Sequence, residues 1–298
     1  MNMQFTKSHN HLICIDSDGC AIDGMTIKHQ KCFGPAFIEE FGLERYREEL
    51  LSYWNKINLY EKTRGINRFK GLHNILLYAI SRKMLDMDVT PLSKWVSETK
   101  ELSNRSLQCA YVEQSAPILE KALHWSERVN SKIDGLKCSE KCAFPGVRET
   151  LRLAHAQAEI AVISAANAAA VEQEWSYNGL LETVDIKMTQ EYGNKESCIH
   201  LLKELGYHAH NIVMLGDAPG DLMAAQENGI LFYPIVVNQE VSSWEIFRES
   251  VLPAFLCGKY TQEMMNTYVR TFLDNLQCKN EMITDKGYDS SLMSEGGN

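Results

Sequence analysis

Three apolar runs in this chain each stop on a side chain that can carry chemistry. "LICID" ends on Asp16, "EIAVIS" on Ser164 and "NIVMLGD" on Asp217. Runs of this length, with β-branched residues and turn signals around them, read as buried strands. Two more fit the pattern: "ETVDIKM" at 182–188, the weaker, and "GILFYPIVV" at 229–237. Helical patterns lie between the later runs. In 146–157, Val147, Leu151 and Ala154 share one face; 194–206 ends on Gly206; 219–228 opens on Pro-Gly and stops before Gly229. Strand alternating with helix predicts a parallel sheet covered on both faces. Ligands of such sheets bind beyond the carboxyl ends of the strands, where Asp16, Ser164 and Asp217 stand.

Residues 24–143 break the alternation. They carry long amphipathic helix patterns, clearest at 71–85 and at 115–129, the latter with Pro117 in its first turn. An all-helical module of roughly 120 residues, a normal domain size, is therefore expected between the first and second strands. Trp54, Trp95 and Trp125 fall within its helical patterns and are read as core. Two helical patterns follow residue 240, the stronger at 261–277. The polar, Gly/Ser-rich stretch 281–298 reads as a mobile tail.

Composition narrows the function classes. The 298 residues carry a formal net charge of -9, which argues against nucleic-acid and anionic-membrane partners. No apolar run is long enough to span a bilayer, and the first residues lack the apolar core of a signal peptide. Nine scattered cysteines then read as reduced thiols of a cytoplasmic protein. Cys138 and Cys142 are close, but no second pair stands at a zinc-ligand spacing.

The crowding in "IDSDGCAID" needs a cause. Neighbouring carboxylates raise the cost of ionising each other, so a positive group belongs among them. A calcium loop of the EF-hand type fails: counted from Asp16, the fifth, sixth and twelfth positions are Cys20, Ala21 and Ile27. Asp23 is read as an N-cap for the chain entering the helical module. Two other features stand at element ends: Lys195, opening the helix before the fourth strand, and "GDAPGD", with Asp217 and Asp221, after it.

Taken in order, Asp16 and Asp18, Ser164, Lys195, and Asp217 with Asp221 resemble the four motifs of the haloacid dehalogenase-like superfamily of phosphohydrolases. "AFPGVRETL" at 143–151 is similar to the segment by which cap-bearing members return to the core. The resemblance implies an α/β fold: a Rossmann-like parallel sheet core with an inserted all-helical cap domain in the first cap position. The core would be 1–23 and 144–280, with 241–280 a C-terminal helical extension, and the cap 24–143.

It also implies roles. Asp16 is the nucleophile, forming an aspartyl-phosphate, and Asp18 the acid and base. Ser164 and Lys195 contact the phosphoryl group and its charge. Asp16, Asp217, Asp221 and the backbone carbonyl of Asp18 hold Mg²⁺, a hard cation that takes few carboxylates. For Asp221 a capping or salt-bridging role stands beside the metal role. For the lysine, Lys187 at the end of the weak strand is the competitor, and the run around Lys195 fits the motif better.

Ala165 and Asn167 follow Ser164 and would offer phosphate contacts. "TRGINRFKG" at 63–71 sets Arg64, Arg68 and Lys70 between glycines, and guanidinium forks recognise phosphates. A solvated basic turn is the other reading of that run. The implied activity is a Mg²⁺-dependent phosphatase acting on a small phosphorylated metabolite. A phosphomutase of the same superfamily is the alternative, and a non-catalytic binding protein a further one. Asp18 sets the chain apart from the dehalogenase and phosphonate-cleaving branches, which lack that carboxylate. Cys20 is a departure, standing where the family pattern has Thr.

Overall fold

The computed structural model describes residues 5–276. Five strands form one parallel sheet: β1 (Leu12–Ile15), β2 (Glu159–Ile163), β3 (Ile186–Met188), β4 (Ile212–Gly216) and β5 (Leu231–Pro234). Their order is β3-β2-β1-β4-β5. β1, β2 and β4 are buried at every residue, which is why they read as continuous apolar runs. The weak 182–188 run yields only three strand residues. Residues 181–183 instead turn back on Leu180, and β3 is an edge strand paired to β2 alone.

The chain passes from β1 through β2 and β3 on one side, then crosses to β4 on the other. That reversal opens a crevice at the carboxyl ends of β1 and β4. Ile15 is in register with Val162 and with Leu215. Asp16, Ser164 and Asp217 therefore leave the sheet side by side.

Between β1 and β2 the described structure contains no strand of the sheet. Its longer helices are Gly34–Phe41, Arg47–Asn55, Arg68–Ser81, Thr90–Glu98, Asn104–Gln114 and Pro117–Asp134. The helix expected at 71–85 runs Arg68–Ser81, and it begins early because the Asn67 side chain accepts the Phe69 N–H and caps it. Asp23 does not act as the expected cap: Gly24 occupies the N-cap of Met25–Lys28, and no side chain bonds there.

Buried apolar residues fall into two clusters. One, within the insertion, is built around Trp54, Trp125, Phe69 and Phe37, with the indoles of Trp54 and Trp125 edge to face at 6.0 Å. Trp95 belongs to it as well. The other surrounds the sheet and takes in Trp244, Phe247, Phe255 and Phe272 from the segment after β5. Full burial of each such side chain is worth about 2–3 kcal/mol, so that segment is part of the core's own packing.

The eight cysteines among the described residues are free, Cys138 and Cys142 included. No helix among those residues is long and apolar enough to cross a membrane. The 281–298 stretch lies outside the described residues.

Candidate active site

Asp16 follows β1 directly, and its N–H still donates to Leu215 O, so the sheet aims it. The loop after it turns through Gly19, whose φ of 86° lies in the left-handed region. A Cβ there would collide with the Asp217 carboxylate and with Arg64. Glycine is thus required both by the turn and by the close approach of β4's loop. Two indoles brace this loop: Trp175 donates to Ser17 Oγ at 2.9 Å and Trp244 to Cys20 O at 2.9 Å. Cys20 itself is buried, so the position selects a small side chain in a packed site.

Asp16, Asp217 and Asp221 are all buried, and one oxygen from each can be chosen so that the three lie within 4.8 Å of one another. No other group of three such ligands forms among the described residues. Lys195 Nζ reaches Asp16 Oδ1 at 2.8 Å and also bonds Asp221 Oδ1. Asp221 does double duty, since its Oδ2 accepts the Ala218 N–H and caps its own helix. Lys187 lies away from this cluster, paired with Glu172 on the surface.

Arg64 is the surprise of the basic run. Its guanidinium is 3% exposed and crosses from the insertion to Asp217. Nη2 stands 2.6 Å and Nε 2.7 Å from Asp217 Oδ2, while Nε also meets Asp217 O at 3.1 Å. Arg68 turns the other way, bonding Ser126 Oγ and Asn130 Oδ1 and lying over the Phe33 ring. Lys70 is exposed. Of the three, the structure brings only Arg64 to the carboxylates.

A second cation from the insertion had no motif to announce it. Lys28 Nζ contacts both oxygens of Asp18, at 2.6 and 2.8 Å, and Glu174 Oε1 at 3.3 Å. Lys141 holds the same Glu174 oxygen at 2.8 Å. The four form a charge-balanced set at the junction of insertion and core.

The electrostatics follow from burial. Burial pushes the Asp16 carboxyl well above the carboxylate range; Lys195 pulls it back, and Asp221 and Asp217 push it further up. Burial likewise raises Asp217, with Arg64 opposing. Burial works against the charge on Lys195, but Asp16 and Asp221 more than offset it and hold the ammonium protonated. Lys28 is raised in the same way against burial, by Asp18 and then Glu174.

With all three carboxylates ionised, Lys195 and Arg64 leave one negative charge unmatched. Asp217 Oδ1, moreover, is buried with no hydrogen-bond partner. A buried, unpartnered carboxylate oxygen in a cluster of hard oxygen donors fits a divalent metal ion.

Ser164 is buried beside Asp16, and its Oγ accepts the Ala166 N–H at 3.2 Å. Asn167 is exposed and committed locally, its side chain accepting the Ala170 N–H as the cap of Ala168–Tyr177. Ala165 is exposed at the start of the same turn. His208 and His210 lie at the opposite end of β4, exposed and stacked on each other.

A sequence model described as "Haloacid dehalogenase-like hydrolase" matches residues 72–235, more than half of the chain. The chain belongs to this family. The matched stretch of this haloacid dehalogenase-like hydrolase begins inside the insertion and omits β1. The structure places β1 at the centre of the sheet, hydrogen-bonded to β2 and β4.

Solved structures similar to the chain include a haloacid dehalogenase-like family hydrolase from Streptococcus pneumoniae. It is 12% identical with a TM-score of 0.41, covering 79% of this chain and 90% of that one. A subfamily IA hydrolase of the superfamily from Geobacter sulfurreducens is 15% identical with a TM-score of 0.41, covering 76% and 89%. CbbY from Rhodobacter sphaeroides, solved with phosphate, is 15% identical with a TM-score of 0.41, covering 76% and 86%. Nothing among curated proteins matches the chain.

Proposed function

We propose that this chain is a Mg²⁺-dependent phosphatase that hydrolyses a small phosphorylated metabolite through an aspartyl-phosphate on Asp16. One observation carries the reading: Asp16 stands buried at the end of the central strand, gripped by Lys195 and flanked by Asp217 and Asp221. Lys195 takes Oδ1, which leaves Oδ2 to attack phosphorus. As the Oδ2–P bond forms, the ester P–O bond breaks and Asp18 gives its proton to the departing oxygen. Asp18 then takes a proton from water; the water oxygen bonds to phosphorus and Oδ2 is released. Before the first step Asp18 turns one oxygen away from Lys28 and binds a proton there, and the second step restores that proton.

Ser164 Oγ donates to a phosphoryl oxygen, and Lys195 offsets charge on the phosphoryl group and Asp16 together. The carboxylates of Asp16, Asp217 and Asp221 and the carbonyl of Asp18 would hold Mg²⁺, which supplies charge neutralisation and alignment of the phosphoryl group. In this reading residues 24–143 are a cap over the core of 1–23 and 144–280. Lys28 and Arg64 are then the cap residues that reach the core's carboxylates, while Arg68 and Lys70 serve the cap itself.

The test is a phosphate-release screen across phosphorylated metabolites with Mg²⁺, run beside Asp16→Asn. The expected result is release from at least one substrate, reduced by at least ~10³-fold in the variant. Turnover that survives Asp16→Asn refutes the mechanism. Isomerisation of a sugar phosphate without release would make the chain a mutase.

A further inference from the structure

All three carboxylates of the cluster are already engaged by side-chain cations. Lys195, from the core, serves Asp16 and Asp221. Arg64, from the insertion, serves Asp217. Together they place two positive charges where a divalent ion would place two. They differ in how they are anchored. Lys195 opens a helix whose Cys198, Ile199 and Leu202 are buried in the core around the sheet.

Arg64 rides on the loop before the helix Arg68–Ser81. Among the described residues, the loop's backbone-to-backbone bonds near Arg64 are those of its own turn, Arg64 N–H to Glu61 O and Ile66 N–H to Thr63 O. Arg64 Nη1 is tied to Leu59 O, on the same side of the junction. The loop is seated on the core at Gly65, where φ is 72° and a Cβ would stand 2.6 Å from the Ala218 Cβ. The seat is therefore a close approach that only glycine permits.

Arg64 is also an incomplete partner. Both of its nitrogens that face Asp217's side chain converge on Oδ2, and Oδ1 is left buried and unpaired. A cation bonded through that cluster would meet a guanidinium that is itself stripped of water. Repulsion there is weakly damped, because the effective dielectric is low.

We propose that Arg64 is a removable countercharge: it neutralises Asp217 while the 61–67 loop is docked, and it must leave Asp217 for a divalent cation to bind fully. Metal binding and docking of this loop then oppose each other, and by linkage each weakens the other by the same factor. The metal loads with the loop lifted. The freed guanidinium faces the crevice, where a substrate phosphoryl group can draw the loop back. The inference rests on the metal reading given above and adds its regulation.

The experiment titrates Mg²⁺ alone into the full chain by calorimetry, without substrate. Three proteins are compared: wild type, Arg64→Gln, and Gly65→Ala, which keeps Arg64 but crowds its seat. Both variants are expected to bind the ion about 10-fold or more tightly, within the usual range of coupling between two linked equilibria. In the wild type, Mg²⁺ should speed hydrogen exchange of the 61–67 amides, a readout that stands if either variant folds poorly.

Equal or weaker binding in both variants, or slower exchange at 61–67 with Mg²⁺, overturns the proposal and makes Arg64 an orienting partner of Asp217 instead. Absence of binding in all three proteins would remove the metal reading itself, a distinct result that takes this proposal with it.

Discussion

The core and the helical insertion both deliver charged groups to one cluster of aspartates, by different means. The core does it through backbone topology. Asp16, Ser164 and Asp217 leave neighbouring parallel strands, and Lys195 opens a helix packed beside them. The insertion does it by docking: Lys28 and Arg64 reach Asp18 and Asp217 from outside the sheet. Hydrogen-bonded register tolerates little adjustment, whereas a docked loop can be lifted. The contrast suggests that the core sets which chemistry is possible and the insertion sets when the charges are assembled.

The comparison can be broken most severely at Lys195. Lys195→Met leaves Asp16 and Asp221 buried without their shared cation, so it should cost about 3–5 kcal/mol of stability. Turnover on any substrate found by the screen should fall ~10²-fold or more. Chemical denaturation with and without Mg²⁺ checks this; a stability loss that the ion restores would show that the ammonium serves as countercharge.

Lys28→Met probes the insertion's side of the junction. Glu174 keeps Lys141, and Asp18 is partly open to solvent, so a smaller cost of about 2 kcal/mol is expected. An effect as large as that of Lys195→Met would erase the distinction between the two regions.

Per pH unit, the smallest effect comes from a histidine. His29, at the start of the insertion, stacks on Phe33 and accepts the Trp54 Nε1–H at 3.0 Å on Nδ1. Burial, then Arg64, lowers its pKa to about 3. The unfolded chain binds this proton near pH 6.5 and the folded protein does not until about pH 3. Folding stability should therefore fall as pH drops through that window, by at most about 1.4 kcal/mol per pH unit from this group. In His29→Gln the stability-versus-pH slope between pH 6 and 4 should be shallower than in the wild type. An unchanged slope would mean that His29 is protonated in the fold.

The sheet was legible because a strand buried on both faces leaves a run of apolar residues. Asp16 and Asp217 were legible because each closes such a run, and Asp221 because it follows in "GDAPGD". Lys195 was found by its motif, and Arg64 by a basic run between glycines, although the run alone did not separate it from Arg68 and Lys70. Asp23 was misread, because a carboxylate before a helix looks like a cap whether or not the chain turns to use it.

Lys28, Trp175 and Trp244 left no usable signal. Trp175 meets Ser17 across 158 residues and Trp244 meets Cys20 across 224. An indole in a helical pattern looks the same whether it fills a core or braces a loop.

By itself, then, the sequence determined the alternation of strand and helix, the carboxylates at the strand ends and the place of the insertion. These follow from periodicity and from short-range turn chemistry, which are local along the chain. Only the tertiary structure decided which cation faces which carboxylate, that Asp221 both caps its helix and joins the cluster, and that one oxygen of Asp217 is left unpaired. Those outcomes depend on how two separately packed clusters meet, and no local pattern encodes the distance between surfaces that touch only after folding.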